Sequence, residues 1–155
     1  MSELAGAEAK VRETESRILE AKLAVAEAEA DKEFLKVPPL ATGEYRETPS
    51  FIRYNGAALW ALADAKKIEK FFLQRFARPL PISALGQTSV HERMGLDHRN
   101  ALDVALHPDS PEGRALMGYL RQARIPFVAF RNRVSGSATG AHIHVGRPSV
   151  RTVSR

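Results

Sequence analysis

The stretch AHIHVG, from Ala141 to Gly146, alternates between histidine and aliphatic side chains. Successive side chains of a β-strand point to opposite faces of a sheet, so this alternation predicts a strand. His142 and His144 then share one face, with Cα atoms roughly 6.5–7 Å apart. Ile143 and Val145 occupy the other face, which is expected to line the hydrophobic core.

A second stretch, ALDVALHP, divides its side chains in the same way and predicts a strand over residues 101–106. Asp103 lies on one face of this strand together with His107, and Val104 lies on the other. If the two strands pair, the polar faces meet, and His98 can enter from the loop before the second stretch. Two imidazoles and a carboxylate around one point form a zinc arrangement whose fourth position is open to water.

The remaining patterns predict an α+β domain with a small, mostly antiparallel sheet and flanking helices. Residues 57–77 carry apolar side chains at steps of three and four, which indicates an amphipathic helix. Ser110-Pro111-Glu112 is typical of a helix start, and the helix is expected to end near Ala123. Further strands are predicted over residues 82–85 and 125–131, and residues 86–99 are predicted to form a loop.

A long helix is predicted before this domain, over residues 2–36. Leu4, Val11, Ile18 and Val25 recur every seven residues, with mostly alanine three positions behind them. This heptad pattern predicts a coiled coil that joins a second copy or a partner helix, although a single helix lying on the domain would show similar residues. The predicted organisation is a helical segment over residues 1–36, a linker over 37–50 and the domain over 51–155.

Charge is distributed unevenly along the chain. Residues 1–36 hold six Lys/Arg and nine Asp/Glu, whereas the remainder holds 17 and nine. Exposed basic residues serve solubility, and they also suit an anionic partner such as cell-wall polymer or nucleic acid. The chain has no cysteine, which excludes disulfides and thiolate metal sites. The N-terminus lacks an apolar run, so no signal peptide is predicted. Either the protein stays in the cytosol, another route exports it, or a leader has been trimmed.

Two motifs resemble those of zinc peptidases of the lysostaphin, D-Ala-D-Ala carboxypeptidase and sonic hedgehog group. HRNALDVAL is similar to their first motif, in which a histidine precedes Gly-x-Ala-x-Asp and an aliphatic residue. GAHIHVG is similar to their second motif, a strand that often reads His-x-His. The carboxypeptidase branch also has a helix and a strand between its motifs, as predicted here. The resemblance covers about Leu80 to Ser149.

The resemblance implies a zinc-dependent peptidase that acts on cell-wall peptides, as a carboxypeptidase or an endopeptidase, in the periplasm or outside the cell. It implies His98, Asp103 and His144 as zinc ligands and His142 as a proton-transfer or transition-state-stabilising group. The family usually places seven positions between its histidine and aspartate, whereas His98 to Asp103 is five. The seven-residue step from His91 ends on His98, so His91 is an alternative ligand.

Two arginines near the predicted site, Arg99 and Arg131, are candidates for binding a substrate carboxylate bidentately. The sequence is also compatible with two other functions. One is a coiled-coil attachment protein whose metal site is structural or degenerate. The other is a small metal-dependent nuclease, because DHRN (residues 97–100) resembles the Asp-His step of such enzymes and the C-terminal part is basic. No specific nucleic-acid partner is expected for the peptidase.

Overall fold

The computed structural model describes residues 2–36 and 39–152 and contains a long N-terminal helix followed by an α+β domain. The first helix, α1, spans Ser2–Lys36, which confirms the predicted helix. Side chains 3–26 and 28 of this helix are all exposed, including the aliphatic ones of the heptad pattern. None of the helices described is long and apolar enough to cross a membrane.

Six strands form one antiparallel sheet, which confirms the predicted fold class. Their order across the sheet is β1-β2-β6-β7-β5-β3, and every neighbouring pair is antiparallel. A separate antiparallel pair is formed by β4 and β8. The strands are β1 (Tyr45–Glu47), β2 (Phe51–Tyr54), β3 (Ile82–Leu85), β4 (Leu96–Asp97), β5 (Leu102–Val104), β6 (Phe127–Phe130), β7 (His142–Val145) and β8 (Val150–Arg151).

One face of the sheet forms the hydrophobic core against two amphipathic helices, α2 (Ala65–Phe76) and α4 (Pro111–Gln122). Ile68 and Phe72 from α2, with Leu116 and Leu120 from α4, are all fully buried in the same cluster as Ile143. Burying side chains of this size contributes roughly 1.5–3 kcal/mol each. The helices leave the opposite face of β5 and β7 free to carry polar groups.

The helix predicted over residues 57–77 begins later than its apolar pattern suggests. A 3₁₀ turn at Leu62–Asp64 leads into α2, Ala61 before it is extended, and residues 55–61 form neither helix nor strand. Asn100 causes this difference, since its carbonyl oxygen accepts from the Trp60 indole N–H at 2.8 Å and its side-chain oxygen accepts from the Leu62 backbone N–H at 2.9 Å. These tertiary hydrogen bonds replace the first helical turns.

Two predicted connections contain regular structure. The predicted linker, residues 37–50, contributes the edge strand β1, whose Tyr45 lies opposite Tyr54 of β2. The predicted loop over residues 86–99 contains a short helix, α3 (Ser89–Met94), as well as β4. Thr88 caps α3 at its N-terminus, and Gly95 ends it in the left-handed conformation with φ 68°. This segment is the one that brings His91 and His98 to the sheet.

Candidate metal centre

Three side-chain atoms converge on the polar face of the sheet. Nε2 of His98 lies 2.9 Å from Oδ1 of Asp103 and 3.2 Å from Nδ1 of His144, and the latter two atoms are 3.1 Å apart. Ligand atoms of a tetrahedral zinc site, with metal bonds of about 2.0–2.1 Å, lie roughly 3.3 Å from one another. The three atoms therefore have the spacing of three corners of such a site.

Strand register places two of these groups side by side. Asp103 of β5 is the direct partner of His144 of β7, and their neighbours in each strand face the core. His98 comes from the turn after β4, and its backbone N–H donates to the Gln87 side-chain oxygen at 2.7 Å. All three side chains are buried, with exposures of 1% for His98, 8% for Asp103 and 5% for His144. The predicted strand alternation is confirmed here.

Backbone carbonyls determine which nitrogen of each imidazole faces the cluster. Nδ1–H of His98 donates to the Gly86 carbonyl at 2.9 Å, and Nε2–H of His144 donates to the Arg147 carbonyl at 2.8 Å. A carbonyl only accepts, so the other nitrogen of each neutral ring presents a lone pair toward Asp103. Two lone pairs and a carboxylate oxygen within 3.2 Å repel one another unless a proton or a metal ion lies between them.

His142 directs a third lone pair toward the same point. Its Nδ1–H donates to the Gly140 carbonyl at 2.9 Å, and its Nε2 lies 3.6 Å from Oδ1 of Asp103. The side chain is 15% exposed, more than those of His98, Asp103 and His144. His142 is therefore the most solvent-accessible of these groups, and its free nitrogen borders the cluster.

His91 approaches the cluster from α3 and contacts the other carboxylate oxygen. Its Nε2 lies 3.3 Å from Oδ2 of Asp103, and its ring stacks on that of His98 with centroids 3.7 Å apart and planes 8° apart. His91, His98 and Asp103 also form a buried His-His-Asp group whose candidate ligand atoms lie within 4.8 Å of one another. The site thus contains a buried His-His-Asp group that can hold a metal ion.

Burial and mutual contact shift the pKa values of these groups in opposite directions. Burial alone would raise the pKa of Asp103, but hydrogen bonds with His144 and His98 hold it far below its usual range. Burial would lower the pKa of His98, yet the hydrogen bond to Asp103 outweighs it and the pKa is raised. Burial lowers the pKa of both His91 and His142. Asp103 is thus ionised and His142 is neutral near pH 7, the states that metal binding and proton acceptance require.

Two of the cavities that border the cluster share a lining residue. The larger, about 520 Å³, borders His144, has apolar walls that include Val128 and Phe130, and contains Arg151. The smaller, about 140 Å³, reaches Asp103 and His142. Ser137 lines both, so the loop between β6 and β7 lies between them. A volume of several hundred Å³ is typical of a small-ligand site.

The two arginines predicted to bind substrate both pair with carboxylates of the chain. Arg99 binds Asp97 through Nε and Nη2 at 3.0 and 2.7 Å, and its side chain is 79% exposed. The hydrogen bonds from Arg99 lower the pKa of Asp97 to about 2. Neither Arg99 nor Arg131 is among the residues that line the two cavities.

Arg131 joins three segments away from the histidines. Its guanidinium contacts both oxygens of Asp109, Glu47 and the Thr48 carbonyl at 2.6–3.0 Å. His107 also lies outside the cluster because β5 ends at Val104, before the predicted strand does. Its side chain is 48% exposed and lies 3.9 Å from Asp109. His107 therefore does not share the face of Asp103.

Comparison with known proteins finds no matching family model, no similar curated protein and no similar solved structure. The fold and the site define an α+β protein with a buried histidine–aspartate centre that can hold a metal ion.

Proposed function

We propose that the protein is a zinc-dependent peptidase that hydrolyses peptide bonds in cell-wall peptides. The observation that carries the proposal is the triangle of His98 Nε2, Asp103 Oδ1 and His144 Nδ1, with sides of 2.9, 3.1 and 3.2 Å. Imidazole nitrogens and carboxylate oxygens are the ligands that zinc uses in catalytic sites with three protein ligands. The sequence resemblance to D-Ala-D-Ala carboxypeptidase-type enzymes implies the same three residues.

In this proposal the chain holds the ion and supplies the proton transfers. Zinc bound at such a site acts as a Lewis acid that acidifies water and polarises a carbonyl group. Peptide hydrolysis also needs a group that takes a proton from water as it adds to the carbonyl carbon. That group returns the proton to the amine nitrogen as the C–N bond breaks. His142 suits this role because its Nε2 is directed at the centre and burial lowers its pKa.

The two cavities support a substrate of extended shape. The larger cavity borders His144 and combines apolar walls with the cation of Arg151, which suits the side chains and the carboxylate of a short peptide. The smaller cavity gives access to His142 and Asp103. A peptide that passes from one cavity to the other would carry its carbonyl group past the metal centre. Arg151 takes the place of Arg99 and Arg131 in this proposal.

A structural metal site in an attachment protein is the second candidate. The observation that favours it is the 3.6 Å separation of His142 Nε2 and Asp103 Oδ1, which is close enough for His142 to become a fourth ligand after a small movement. Four protein ligands would close the site, as in structural zinc centres. The exposed helix α1 would then serve assembly.

The decisive experiment measures metal content and hydrolysis on the same samples. The full chain is loaded with zinc, its zinc-to-protein ratio is determined, and peptides derived from peptidoglycan are analysed by mass spectrometry. We expect one zinc ion per chain and cleaved peptide, both lost in His144→Ala. His107→Ala is the matched control, because its side chain is 48% exposed and lies outside the cluster.

The other outcomes separate the alternatives. Zinc that contributes stability but no hydrolysis supports the attachment protein. Cleavage of plasmid DNA with Mg²⁺ or Mn²⁺, without peptide cleavage, supports a nuclease. A purified chain that retains no zinc after loading overturns the proposal.

A further inference from the structure

His91 contacts the metal centre through the carboxylate oxygen that faces away from His98 and His144. Its Nε2 lies 3.3 Å from Oδ2 of Asp103, whereas Oδ1 of the same carboxylate faces His98 and His144. The His91 side chain is 10% exposed, so the contact is shielded from solvent. A carboxylate held by one oxygen is limited in its rotation, and this limit decides which oxygen a metal can reach.

The partner of the second ring nitrogen distinguishes His91 from the other histidines of the cluster. In His98, His142 and His144 the ring nitrogen that points away from the cluster faces a backbone carbonyl, so that nitrogen must carry the hydrogen. Nδ1 of His91 instead lies 2.8 Å from the Thr88 hydroxyl. A hydroxyl can donate as well as accept, so Nδ1 of His91 can accept and leave Nε2–H to donate to Asp103.

Ring stacking keeps His91 out of the coordination sphere defined by His98. The lone pair of an imidazole nitrogen lies in the plane of its ring. Because the planes of His91 and His98 are 8° apart and their centroids 3.7 Å apart, the two rings cannot both direct a lone pair at one point, so an ion held by His98 would not be held by His91. The rings of His98 and His144 instead cross at 68°, which lets both lone pairs meet at one point.

We propose that His91 is a positioning residue that donates its Nε2–H to Oδ2 of Asp103 and thereby presents Oδ1 alone to the metal. Thr88 sets the tautomer of His91 by donating its hydroxyl to Nδ1. This inference rests on the proposed metal centre of His98, Asp103 and His144. Hydrogen-bonded partners of metal ligands typically contribute 10–100-fold to metal affinity.

The competing arrangement makes His91 itself a ligand, since His91, His98 and Asp103 also form a group within 4.8 Å. The two arrangements differ in what a His91 substitution does. A lost ligand weakens binding as severely as loss of His98. A lost hydrogen-bond donor weakens it moderately and frees Asp103 to bind through both oxygens, which raises the coordination number.

Four variants of the full chain test the inference, and His98→Leu is the reference for a lost ligand. His91→Leu removes the donor, and His91→Gln retains an N–H at a similar reach. Thr88→Val removes the hydroxyl, and Thr88→Ser retains it. Zinc affinity is measured by competition with a chromophoric chelator. The visible spectrum of the Co²⁺-loaded protein reports coordination number, since four-coordinate Co²⁺ absorbs more strongly per ion than five- or six-coordinate Co²⁺.

We expect His91→Leu to weaken zinc binding about 10–100-fold and to lower the absorbance per cobalt ion. Thr88→Val should shift both readouts in the same direction, while His91→Gln and Thr88→Ser retain most of the wild-type affinity and spectrum. Thermal unfolding of the metal-free variants checks that each is folded. If His91→Leu does not fold, the comparison of Thr88→Val with Thr88→Ser tests the inference instead.

Two results would overturn the inference. The first is an unchanged affinity and spectrum in both His91→Leu and Thr88→Val. The second is a loss in His91→Leu as large as that in His98→Leu, which would make His91 a ligand. Wild-type protein that binds no zinc would instead refute the proposed function, so the two failures are distinguishable.

Discussion

Asp103 and His144 are register partners on adjacent antiparallel strands, and Nδ1 of His144 lies 3.1 Å from Oδ1 of Asp103. Directly opposite residues of antiparallel strands have their side chains on the same face, so this contact follows from the pairing of β5 with β7. The strands are held by the core on their other face, where Val104 and Ile143 are also partners and are fully buried. The hydrophobic core thus positions the carboxylate and the imidazole.

Metal binding should raise the stability of the fold measurably. With free zinc 100-fold above its Kd, binding to the native state alone adds about 2.7 kcal/mol to the free energy of unfolding. For a chain of this size that corresponds to a rise in Tm of about 5–10 °C. Calorimetry with zinc and with a chelator measures the difference. Asp103→Asn should lose the zinc-dependent rise in Tm, because a neutral amide oxygen is a weaker ligand than a carboxylate. A rise in Tm equal to that of the wild type would contradict the assignment of Asp103 as a ligand.

Zinc affinity should fall as the pH decreases, and the fall should begin at a pH above the pKa of an ordinary histidine. Binding requires unprotonated Nε2 on His98 and Nδ1 on His144. In the metal-free protein the pKa of His98 is raised, because the hydrogen bond to Asp103 outweighs burial. Protons therefore compete with zinc already above pH ~6.5. Titration calorimetry between about pH 8 and about pH 6, in buffers of different ionisation enthalpy, should show weaker binding and released protons. An affinity independent of pH would contradict this prediction.

His142→Gln should separate catalysis from metal binding. If His142 transfers protons, the variant retains zinc and loses about 10²–10⁴-fold in kcat. If His142 closes the site as a fourth ligand, the variant instead loses zinc affinity. Zinc competition and peptide hydrolysis are measured on the same samples, with His107→Gln as the matched control. A variant with unchanged kcat would remove His142 from the mechanism.

The alternation of side chains in β5 and β7 was sufficient to predict the polar and apolar faces. Ile143 and Val145 are fully buried, and His144 lies opposite Asp103, as the period of two requires. The fold class followed from the same strands and from the capping residue Ser110, which accepts from the Gly113 backbone N–H. Such features are local in sequence, and local patterns carry through to the fold where tertiary contacts agree with them.

His98 was expected to enter from the loop, but the conformation that brings His91 and His98 to the cluster could not be predicted in the same way. α3 has six residues, too few for a helical period to be recognised. The position of His98 depends on Gln87, whose side chain accepts from the His98 backbone and donates to the Leu96 carbonyl. Loop conformations of this kind depend on tertiary hydrogen bonds. The seven-residue step from His91 to His98 can be read from the sequence, but it does not show which of the two histidines faces Oδ1 of Asp103.

Arg131→Met should destabilise the fold without changing zinc affinity. The Arg131 side chain is 16% exposed and binds Asp109, Glu47 and the Thr48 carbonyl. Hydrogen bonds to charged groups contribute about 1.5–3 kcal/mol when buried. The exposure of Asp109 and Glu47 reduces this contribution, so we expect the free energy of unfolding to fall by about 1–2 kcal/mol. Urea unfolding measures it. Arg99→Met is the control, and its exposed pair should contribute much less. A raised KM with unchanged stability would support the substrate role predicted from sequence.

Helix α1 should join two or more copies of the chain. Val11 and Ile18 lie on the heptad seam and are 56% and 50% exposed, so a single chain leaves its apolar row in water. Helices gain most of their stability from packing such a row against a partner. Val11→Lys with Ile18→Lys should therefore reduce the mass in solution toward the 17.1 kDa of one chain. Sedimentation velocity measures the mass.

The matched control is Ala9→Lys with Ser16→Lys, which adds the same charge at positions opposite the seam and should leave the assembly intact. Wild-type protein that sediments as a single chain would show that α1 does not mediate self-association.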